Sequence, residues 1–192
     1  GGLIDFVEVV GGSYSVGSIK VIVPGFILED KVEVLGEVIG GEDGQHMKAD
    51  RERVVVGAEQ GISSGGTYTV LRYAGGVRNQ VAGGFVGYRY DYVATISVVK
   101  GLSDEKFLAN VSQSRLGTKQ GDIITKYMSV VRTVDLAAGS SPNTAEAEVV
   151  GFDYPDQLFG AKGNYIFIGK GSGGGVSSGQ DFAVYQRYGL WA

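Results

Sequence analysis

The residue types that most often carry out catalysis are sparse in this 192-residue chain. It contains no cysteine, which excludes thiolate nucleophiles, disulfides and cysteine metal sites. The single histidine, His46, has no serine nucleophile arranged near it, and a triad or a zinc site would need partners that the chain scarcely offers. We interpret it as a surface histidine and expect no catalytic, metal or cofactor site.

Carboxylate pairs and one glycine-rich loop are the remaining candidates for chemistry. The pairs are Asp104–Glu105, Glu146–Glu148 and Asp153–Asp156, and turn or surface positions explain each of them. Paired acids hydrolyse glycosides only where a cleft fixes their separation. The loop Gly169–Gly174 matches G-x-G-x-x-G, but a dinucleotide site needs a helix after the loop, whereas a strand is predicted here. We therefore expect a protein that is not an enzyme.

A stripe of tyrosines has the clearest binding chemistry. Tyr88, Tyr90 and Tyr92 share one parity of the strand predicted over residues 88–99, whose alternation indicates one buried and one mostly wet face. The same parity continues through the core-like residues 94–98. We expect the stripe to be buried at one end and partly exposed at the other. Exposed aromatic rows can stack sugar rings, so a glycan-binding module is an open alternative.

Composition indicates an all-β chain. Thirty-three glycines against three prolines, without collagen periodicity, indicate tight turns between short strands. No segment keeps a helical period. The net charge is −4, and positive and negative residues are interspersed along the chain. The chain therefore lacks the basic stripe that would indicate a nucleic-acid partner. No apolar run approaches the ~18 residues of a membrane span.

An internal repeat organises these strands. The phrase Gly61–Tyr73 reappears as Gly175–Arg187. Two upstream segments also recur: Val54–Gly57 as Ile166–Gly169, and Val38–Gly40 as Val149–Gly151. A strand, loop and turn unit that occurs twice predicts two related β-domains. We expect two small antiparallel SH3-like barrels.

Glycines frame the repeated turn. Gly61 and Gly65, with Gly175 and Gly179 in the second copy, are predicted to supply positive φ where the chain reverses. Apolar residues between and after them are predicted to point inward: Ile62, Tyr68 and Val70 in the first copy, and Val176, Phe182 and Val184 in the second.

The domain boundaries follow from the repeat. We expect an N-terminal hairpin or arm over residues 1–33, a first β-domain over 34–136 and a second over 145–192, with a linker at 137–144. The chain starts with neither a Met nor a signal peptide, and we interpret it as a piece of a longer protein.

The N-terminal hairpin has two interpretations. Its strands, Ile4–Val10 and Tyr14–Val23, flank the turn signal Gly11-Gly12-Ser13 and have the composition of a hairpin that the second repeat lacks. It could complete the second barrel. Alternatively, it is an arm or an added strand for a partner.

Three short motifs together resemble a known family. They are Gly65–Arg72, Gly87-Tyr88-Arg89 and Gly121-Asp122-Ile123-Ile124. Over residues 34–187 the chain is similar to the C-terminal region of LysM-containing periplasmic proteins associated with the type IV pilus secretin (TsaP-like). That region is itself similar to the C-terminal part of the flagellar assembly protein FlgT. The resemblance implies a non-catalytic periplasmic accessory protein that docks on an outer-membrane secretin ring in multiple copies and helps anchor it to the cell wall.

Partner contacts are expected in two glycine-rich loops and along the tyrosine stripe. Small barrels with exposed strand edges bind through β-augmentation and loops. The loops are residues 74–84 and 170–174, and the contact residues we expect are Arg78, Asn79, Tyr88, Tyr90 and Lys170. Peptidoglycan binding through LysM would need a module that this chain does not contain. A ring-forming subunit of a phage or secretion machine is a further alternative.

Overall fold

A computed structural model describes residues 6–8, 17–41, 47–48, 52–79, 83–136, 145–154, 157, 159–177 and 179–185. Almost all of the regular structure in these ranges is β. The strands are β1 (Phe6–Glu8), β2 (Gly17–Ile22), β3 (Gly25–Leu28), β4 (Gly36–Gly41), β5 (Met47–Lys48), β6 (Arg53–Ala58), β7 (Thr67–Arg78), β8 (Phe85–Ser103), β9 (Lys106–Ser114), β10 (Thr118–Lys119), β11 (Ile123–Lys126), β12 (Val131–Leu136), β13 (Val149–Phe152) and β14 (Tyr165–Ile168). A short 3₁₀ turn follows at Ser172–Gly174.

Six strands close into an antiparallel barrel. Their order is β8-β7-β11-β4-β6-β9, and β9 pairs back onto β8 to complete the circle. The interior is filled mainly by β-branched and other aliphatic side chains from every strand: Val38, Val54, Val56, Val70, Ala94, Ile96, Val98, Ala109, Val111 and Ile124. The prediction of an all-β antiparallel barrel is confirmed.

A β-bulge at Val93 divides β8 between two cores. Val70 lies opposite Ala94 and Leu71 lies opposite Tyr92, so Val93 is an extra residue on β8. An extra residue reverses the alternation of side chains beyond it. Tyr92 therefore packs with Leu71 in a second apolar cluster outside the barrel, whereas Val93 and Ala94 pack inside. The prediction that Tyr88, Tyr90 and Tyr92 continue one face through residues 94–98 is wrong for this reason.

The second repeat forms the three-stranded sheet β13-β14-β1, which reproduces part of the barrel. In the barrel, β4 skips Ile39 between its pairings with Val56 and Val55. In the C-terminal sheet, β13 skips Val150 at the matching position. Equivalent apolar residues contribute to both cores: Val54, Val56 and Ile62 in the barrel, and Ile166, Ile168 and Val176 in the C-terminal sheet. The two repeats thus share a bulged strand pair and the core beneath it.

The third strand of the C-terminal sheet comes from the N-terminal segment. β14 lies between β13 and β1 as β6 lies between β4 and β9. Phe6 is opposite Phe167, and Leu108 is opposite Val55 at the equivalent position of the barrel. β1 therefore takes the place that β9 holds in the barrel. Completion of a second barrel by residues 1–33 stays a prediction.

The described strands of the predicted N-terminal hairpin, β1 and β2, lie in different sheets. β1 pairs with β14, and β2 pairs with β12 over six residue pairs from Gly17 to Ile22. The turn signal at residues 11–13 is local, whereas both strands find their partners far along the sequence. Residues 9–16 and the predicted linker at 137–144 lie outside the described residues.

The repeated turn keeps one backbone geometry in both copies. Gly61 and Gly65 have φ of +66° and +80°, and Gly175 and Gly179 have φ of +86° and +81°. This is the left-handed geometry that the sequence predicts for these four positions, where a side chain would be strained. In each copy the turn also closes through an equivalent backbone hydrogen bond: Gly66 N–H to the Ser63 carbonyl and Gln180 N–H to the Ser177 carbonyl.

Side chains around the turn differ in a compensating way. The Tyr68 hydroxyl accepts the Ser63 N–H at 2.9 Å and lies 3.1 Å from the Gly61 carbonyl, to which it donates. The second copy has Phe182 in place of Tyr68, and there Gln180 Oε1 accepts the Ser177 N–H at 3.1 Å. Gly66 and Gln180 occupy equivalent positions. In the first copy a Cβ on Gly66 would be 2.6 Å from the Tyr68 ring, so this position has room only for glycine there.

The strand that follows the turn differs between the copies. Tyr68 and Val70 are buried in the barrel as predicted, and Phe182 packs against the core of the C-terminal sheet. Val184 is exposed, and the prediction that it points inward is wrong. Residues 181–185 form no strand, so no period-two alternation operates there.

The close approach of β4 and β6 predicts different outcomes for two glycine substitutions. A Cβ on Gly36 would collide with the carbonyl oxygen of Gly57, whereas a Cβ on Gly40 would meet no atom within 4 Å. Gly36→Ala should lower the free energy of unfolding by about 2 kcal/mol or more, because backbone cannot move aside cheaply. Gly40→Ala should change it by less than about 1 kcal/mol. Urea unfolding of the two variants measures this, and equal losses would contradict the register.

Candidate functional site

The hairpin of β7 and β8 extends beyond the barrel and carries different chemistry on its two faces. β7 continues to Arg78 and β8 begins at Phe85, so residues 74–78 of the loop predicted over 74–84 belong to a strand. The turn is closed by the Asn79 N–H and the Gly84 carbonyl at 2.8 Å. The prediction of a loop is wrong for residues 74–78, because the Gly75-Gly76 pair does not interrupt cross-strand pairing with β8.

One face of this hairpin carries an aromatic patch, which we define as Tyr73, Phe85 and Tyr88. The Phe85 and Tyr88 ring centroids are 5.0 Å apart in an edge-to-face arrangement, and those of Tyr73 and Tyr88 are 6.5 Å apart. Tyr73 and Phe85 are each 49% exposed. Lys31 places its Nζ 5.4 Å from the Tyr88 ring centroid, within the range of a cation–π interaction.

The tyrosine stripe passes from this patch into the core. Tyr90 is only 3% exposed, its ring lies 5.4 Å from that of Tyr73, and its hydroxyl accepts the Val32 N–H at 3.4 Å. Burial raises the pKa of Tyr90. Tyr92 is fully buried and its hydroxyl shares a hydrogen bond with Thr95. The stripe is thus partly exposed at the Tyr88 end and buried at the Tyr92 end, as the sequence predicts, and Tyr90 offers little surface to a partner.

The opposite face carries a buried ion pair that joins the barrel to the C-terminal sheet. Arg89 Nε and Nη2 lie 2.9 and 2.8 Å from Asp91 Oδ1. The same Nη2 donates to the Phe152 carbonyl of β13 at 2.7 Å, and the guanidinium lies 4.9 Å from the Phe167 ring centroid. A Cβ on Gly151 would be 2.8 Å from Arg89 Nη1, so glycine gives the arginine room. The Arg89 guanidinium therefore contacts both the barrel and the C-terminal sheet.

A second arginine reaches the neighbouring residue of the C-terminal unit. Arg115 Nη2 donates to the Asp153 carbonyl at 3.0 Å, and its guanidinium lies 4.9 Å from the Tyr154 ring centroid. Its distance to Asp153 Oδ2 is 3.9 Å, at the limit of an ion pair. We call Arg89, Asp91, Arg115 and their contacts to Phe152 and Asp153 the arginine seam.

Two motifs of the family resemblance meet beside this seam. Arg72 forms a bidentate ion pair with Asp122: Nε donates to Oδ1 at 2.8 Å and Nη2 donates to Oδ2 at 2.9 Å. Asp122 Oδ2 also accepts the Lys119 N–H at 2.8 Å, and Gly121 has φ of +84°. Arg72 lies directly across the strand pair from Asp91. These motif residues therefore have structural roles in holding β11 to β7.

The arginine seam was not predicted from the sequence. Arg89 and Asp91 fall on the parity predicted to be mostly wet, yet Asp91 is fully buried and Arg89 is 8% exposed. The C-terminal sheet covers that face, and no local pattern signals this contact. The one available signal is the placement of opposite charges two residues apart on one face of an otherwise apolar strand.

The other predicted contact residues lie near one end of the hairpin. Asn79 Nδ2 lies 3.8 Å from the Cβ position of Gly169, so the hairpin turn reaches the loop that carries Lys170. Arg78 and Lys170 are exposed. The glycine-rich loop after Gly169 forms a short 3₁₀ turn and contains no α-helix.

Comparisons of the chain with protein-family models, with curated proteins and with solved structures found no match. Within the described ranges, no group of three or more acidic or histidine side chains is arranged to hold a metal ion. Those ranges also contain no helix of the length and apolarity needed to cross a membrane. His46 lies outside them.

The arginine seam predicts unequal effects for two cation substitutions. Arg89→Met leaves Asp91 buried without its closest cation and should lower the free energy of unfolding by about 3–5 kcal/mol. The matched control is Lys126→Met, because Lys126 pairs with Glu33 at 2.7 Å while their side chains are 74% and 51% exposed. That loss should be below about 1 kcal/mol. Similar losses in urea unfolding would contradict a structural role for the seam.

The buried carboxyl predicts a pH dependence of stability. Burial raises the pKa of Asp91 despite the opposing charges of Arg89, Arg115 and Arg72. The folded protein therefore holds this proton to a higher pH than the unfolded chain does, and stability is lost as pH rises through the folded pKa. Relative to Asp91→Asn, the wild type should become more stable as pH falls from neutral towards 4. Urea unfolding across that pH range tests the sign, and the opposite slope would contradict it.

Proposed function

We propose that this chain is a non-catalytic structural protein of the bacterial cell envelope, located in the periplasm, that docks on a type IV pilus secretin ring and helps anchor it to the cell wall. The observation that carries the proposal is the aromatic patch, with Tyr73 and Phe85 half exposed on a paired hairpin outside the barrel. The choice of partner follows the resemblance of three short motifs to those of secretin-associated proteins.

The patch has properties that favour a protein partner. Aromatic residues are enriched at interface cores and dominate their energetics. The rings of Tyr73 and Tyr88 rest on paired strands beside buried Tyr90, so little conformational freedom remains to be lost on binding. Lys31 adds a positive charge at the edge of the patch, where it can set orientation and association rate.

Multiple copies would strengthen weak individual contacts. A ring presents the same surface repeatedly, and an assembly that engages several sites at once gains avidity without new contacts. A patch of three rings is small for a stable one-to-one complex, which typically buries about 1,600 Å². The proposal therefore includes several copies of the chain around the ring.

A glycan-binding module is the second candidate, and the same patch favours it. Exposed aromatic rings can stack on sugar rings, and Lys31 beside Tyr88 could contact a carboxylate of a peptidoglycan chain. The two candidates share residues but differ in ligand. A variant of the patch therefore distinguishes the two candidates by which ligand it no longer binds.

Tyr73→Ala is the test of the patch, because Tyr73 is 49% exposed whereas Tyr88 also packs against the buried cluster around Tyr90. It should weaken binding to purified secretin at least tenfold, the loss expected of a residue worth more than about 1.4 kcal/mol, and leave the melting temperature within a few degrees. Phe159→Ala, which removes an exposed ring from the C-terminal unit, is the matched control and should bind as the wild type does. Tyr90→Ala is unsuitable because that ring is buried.

Binding is measured by biolayer interferometry on secretin and by co-sedimentation with peptidoglycan. Loss on secretin alone supports the proposed function, whereas loss on peptidoglycan alone establishes the glycan-binding alternative. Unchanged binding to both ligands would remove the patch from either role.

A further inference from the structure

We propose that β7 receives an extended segment of a partner protein as an added strand along its edge from Tyr73 to Arg78. The segment that fits carries an acidic residue beside Arg78 and an apolar residue beside the aromatic patch. This inference deepens the proposed function and rests on it for one point, that the segment belongs to a secretin. The added strand itself is inferred from the geometry of β7.

The barrel covers only part of this edge of β7. β8 pairs with the opposite edge over Thr67–Arg78, whereas β11 pairs with this edge only over Tyr68–Leu71. Asp122, which Arg72 holds through the bidentate ion pair, immediately precedes β11. Beyond that point no described strand pairs with the edge, so Tyr73–Arg78 is open to a partner.

The backbone of this open edge is accessible to solvent. Ala74, Gly76 and Arg78 are exposed, and Tyr73 is 49% exposed. Gly76 has no side chain, so its exposure is exposure of the backbone. Alternate residues of an edge strand direct their N–H and C=O groups outward, where an added strand can form hydrogen bonds with them.

The open edge has few of the features that protect natural strand edges from pairing. Proline, bulges and charged side chains provide that protection. The segment Tyr73–Arg78 contains no proline and one charged residue, Arg78, and on the β7 side its register is interrupted at Ala74. Residues 75–78 follow the interruption and span about 13 Å at about 3.3 Å per residue, which is the length of a short strand.

The side chains along the edge define the segment that fits. Arg78 lies opposite Phe85 and Gly76 lies opposite Tyr88, so Arg78 is on the face of the aromatic patch. A Cβ on Gly76 would be 3.2 Å from the Phe85 ring, so a residue added beside Gly76 meets this ring. Lys31, beside the Tyr88 ring, is a second cation on this face, and an acidic residue complements both charges.

The direction of the added strand gives a sequence pattern. β8 and β11 are both antiparallel to β7, and we expect the same of the segment. An antiparallel segment passes Arg78 first and Gly76 two residues later. The expected pattern is therefore an acidic residue, one residue of any type and then an apolar residue.

Amide hydrogen exchange measured by NMR distinguishes an added strand from contact through side chains alone. Linear 12-residue peptides displayed on phage are selected on the full chain, and the ligands are the selected peptides and purified secretin. The peptides should share the acidic–x–apolar pattern. At saturation, exchange at alternate residues of 73–78 should slow at least about tenfold, because their outward N–H groups become paired.

Arg78→Glu tests the acidic position of the segment. It should weaken binding of the selected peptides at least about fivefold, because an attraction becomes a repulsion, and leave the melting temperature within a few degrees. Lys100→Glu is the matched control, since it reverses an exposed charge near the opposite end of β8 and should bind as the wild type does. Equal weakening by both variants would overturn the acidic contact with Arg78.

The outcomes separate the added strand from the proposed function. Slowed exchange at residues 73–78 with peptides, but no binding of secretin, would retain the added strand and remove the secretin role. Secretin binding that Tyr73→Ala weakens, without slowed exchange at residues 73–78, would retain the proposed function and overturn the added strand. Failure of every ligand to slow exchange there, including failure to select any peptide, would overturn it as well.

Discussion

A charged pair buried outside the barrel determines how the two repeats fit together. Arg89 and Asp91 lie on a strand face that a barrel alone would leave in water. Removing both charges from water is costly unless every group finds a partner. The Phe152 carbonyl and the Phe167 ring, both of the C-terminal sheet, give Arg89 contacts that the barrel lacks, whereas Asp91 Oδ2 has no hydrogen-bond partner among the described residues. The stability of the ion pair therefore depends on the docking of the second repeat.

The same constraint shapes the candidate binding surface. The aromatic patch and the arginine seam occupy opposite faces of the β7–β8 hairpin, which projects beyond the closed barrel. A two-stranded projection is marginally stable on its own. Here β3 pairs with β8 over Gly25–Leu28, and the C-terminal sheet supports the polar face through Arg89. The rings of Tyr73 and Tyr88 are held in position because the other side of their strands is buried.

The two repeats show how one unit supports different architectures. Both contain a bulged strand pair, a turn with two left-handed glycines and an apolar core below it. In the first, later strands of the same repeat close the barrel. In the second, an N-terminal strand takes the place of β9, and the change of Tyr68 to Phe182 is balanced by Gln180, which satisfies the same backbone N–H. Local geometry is retained while the source of the neighbouring strands changes.

Local patterns in the sequence determined the all-β class, the positive φ of Gly61, Gly65, Gly175 and Gly179, and the burial gradient along the tyrosine stripe, because turn chemistry and side-chain alternation act over a few residues. Tertiary structure alone decided three features. The bulge at Val93 reversed the alternation of β8, β1 and β2 paired with distant strands, and the C-terminal sheet buried Arg89 and Asp91. Each depends on contacts between residues far apart in the chain, and a pattern over a few neighbouring residues carries no information about such contacts.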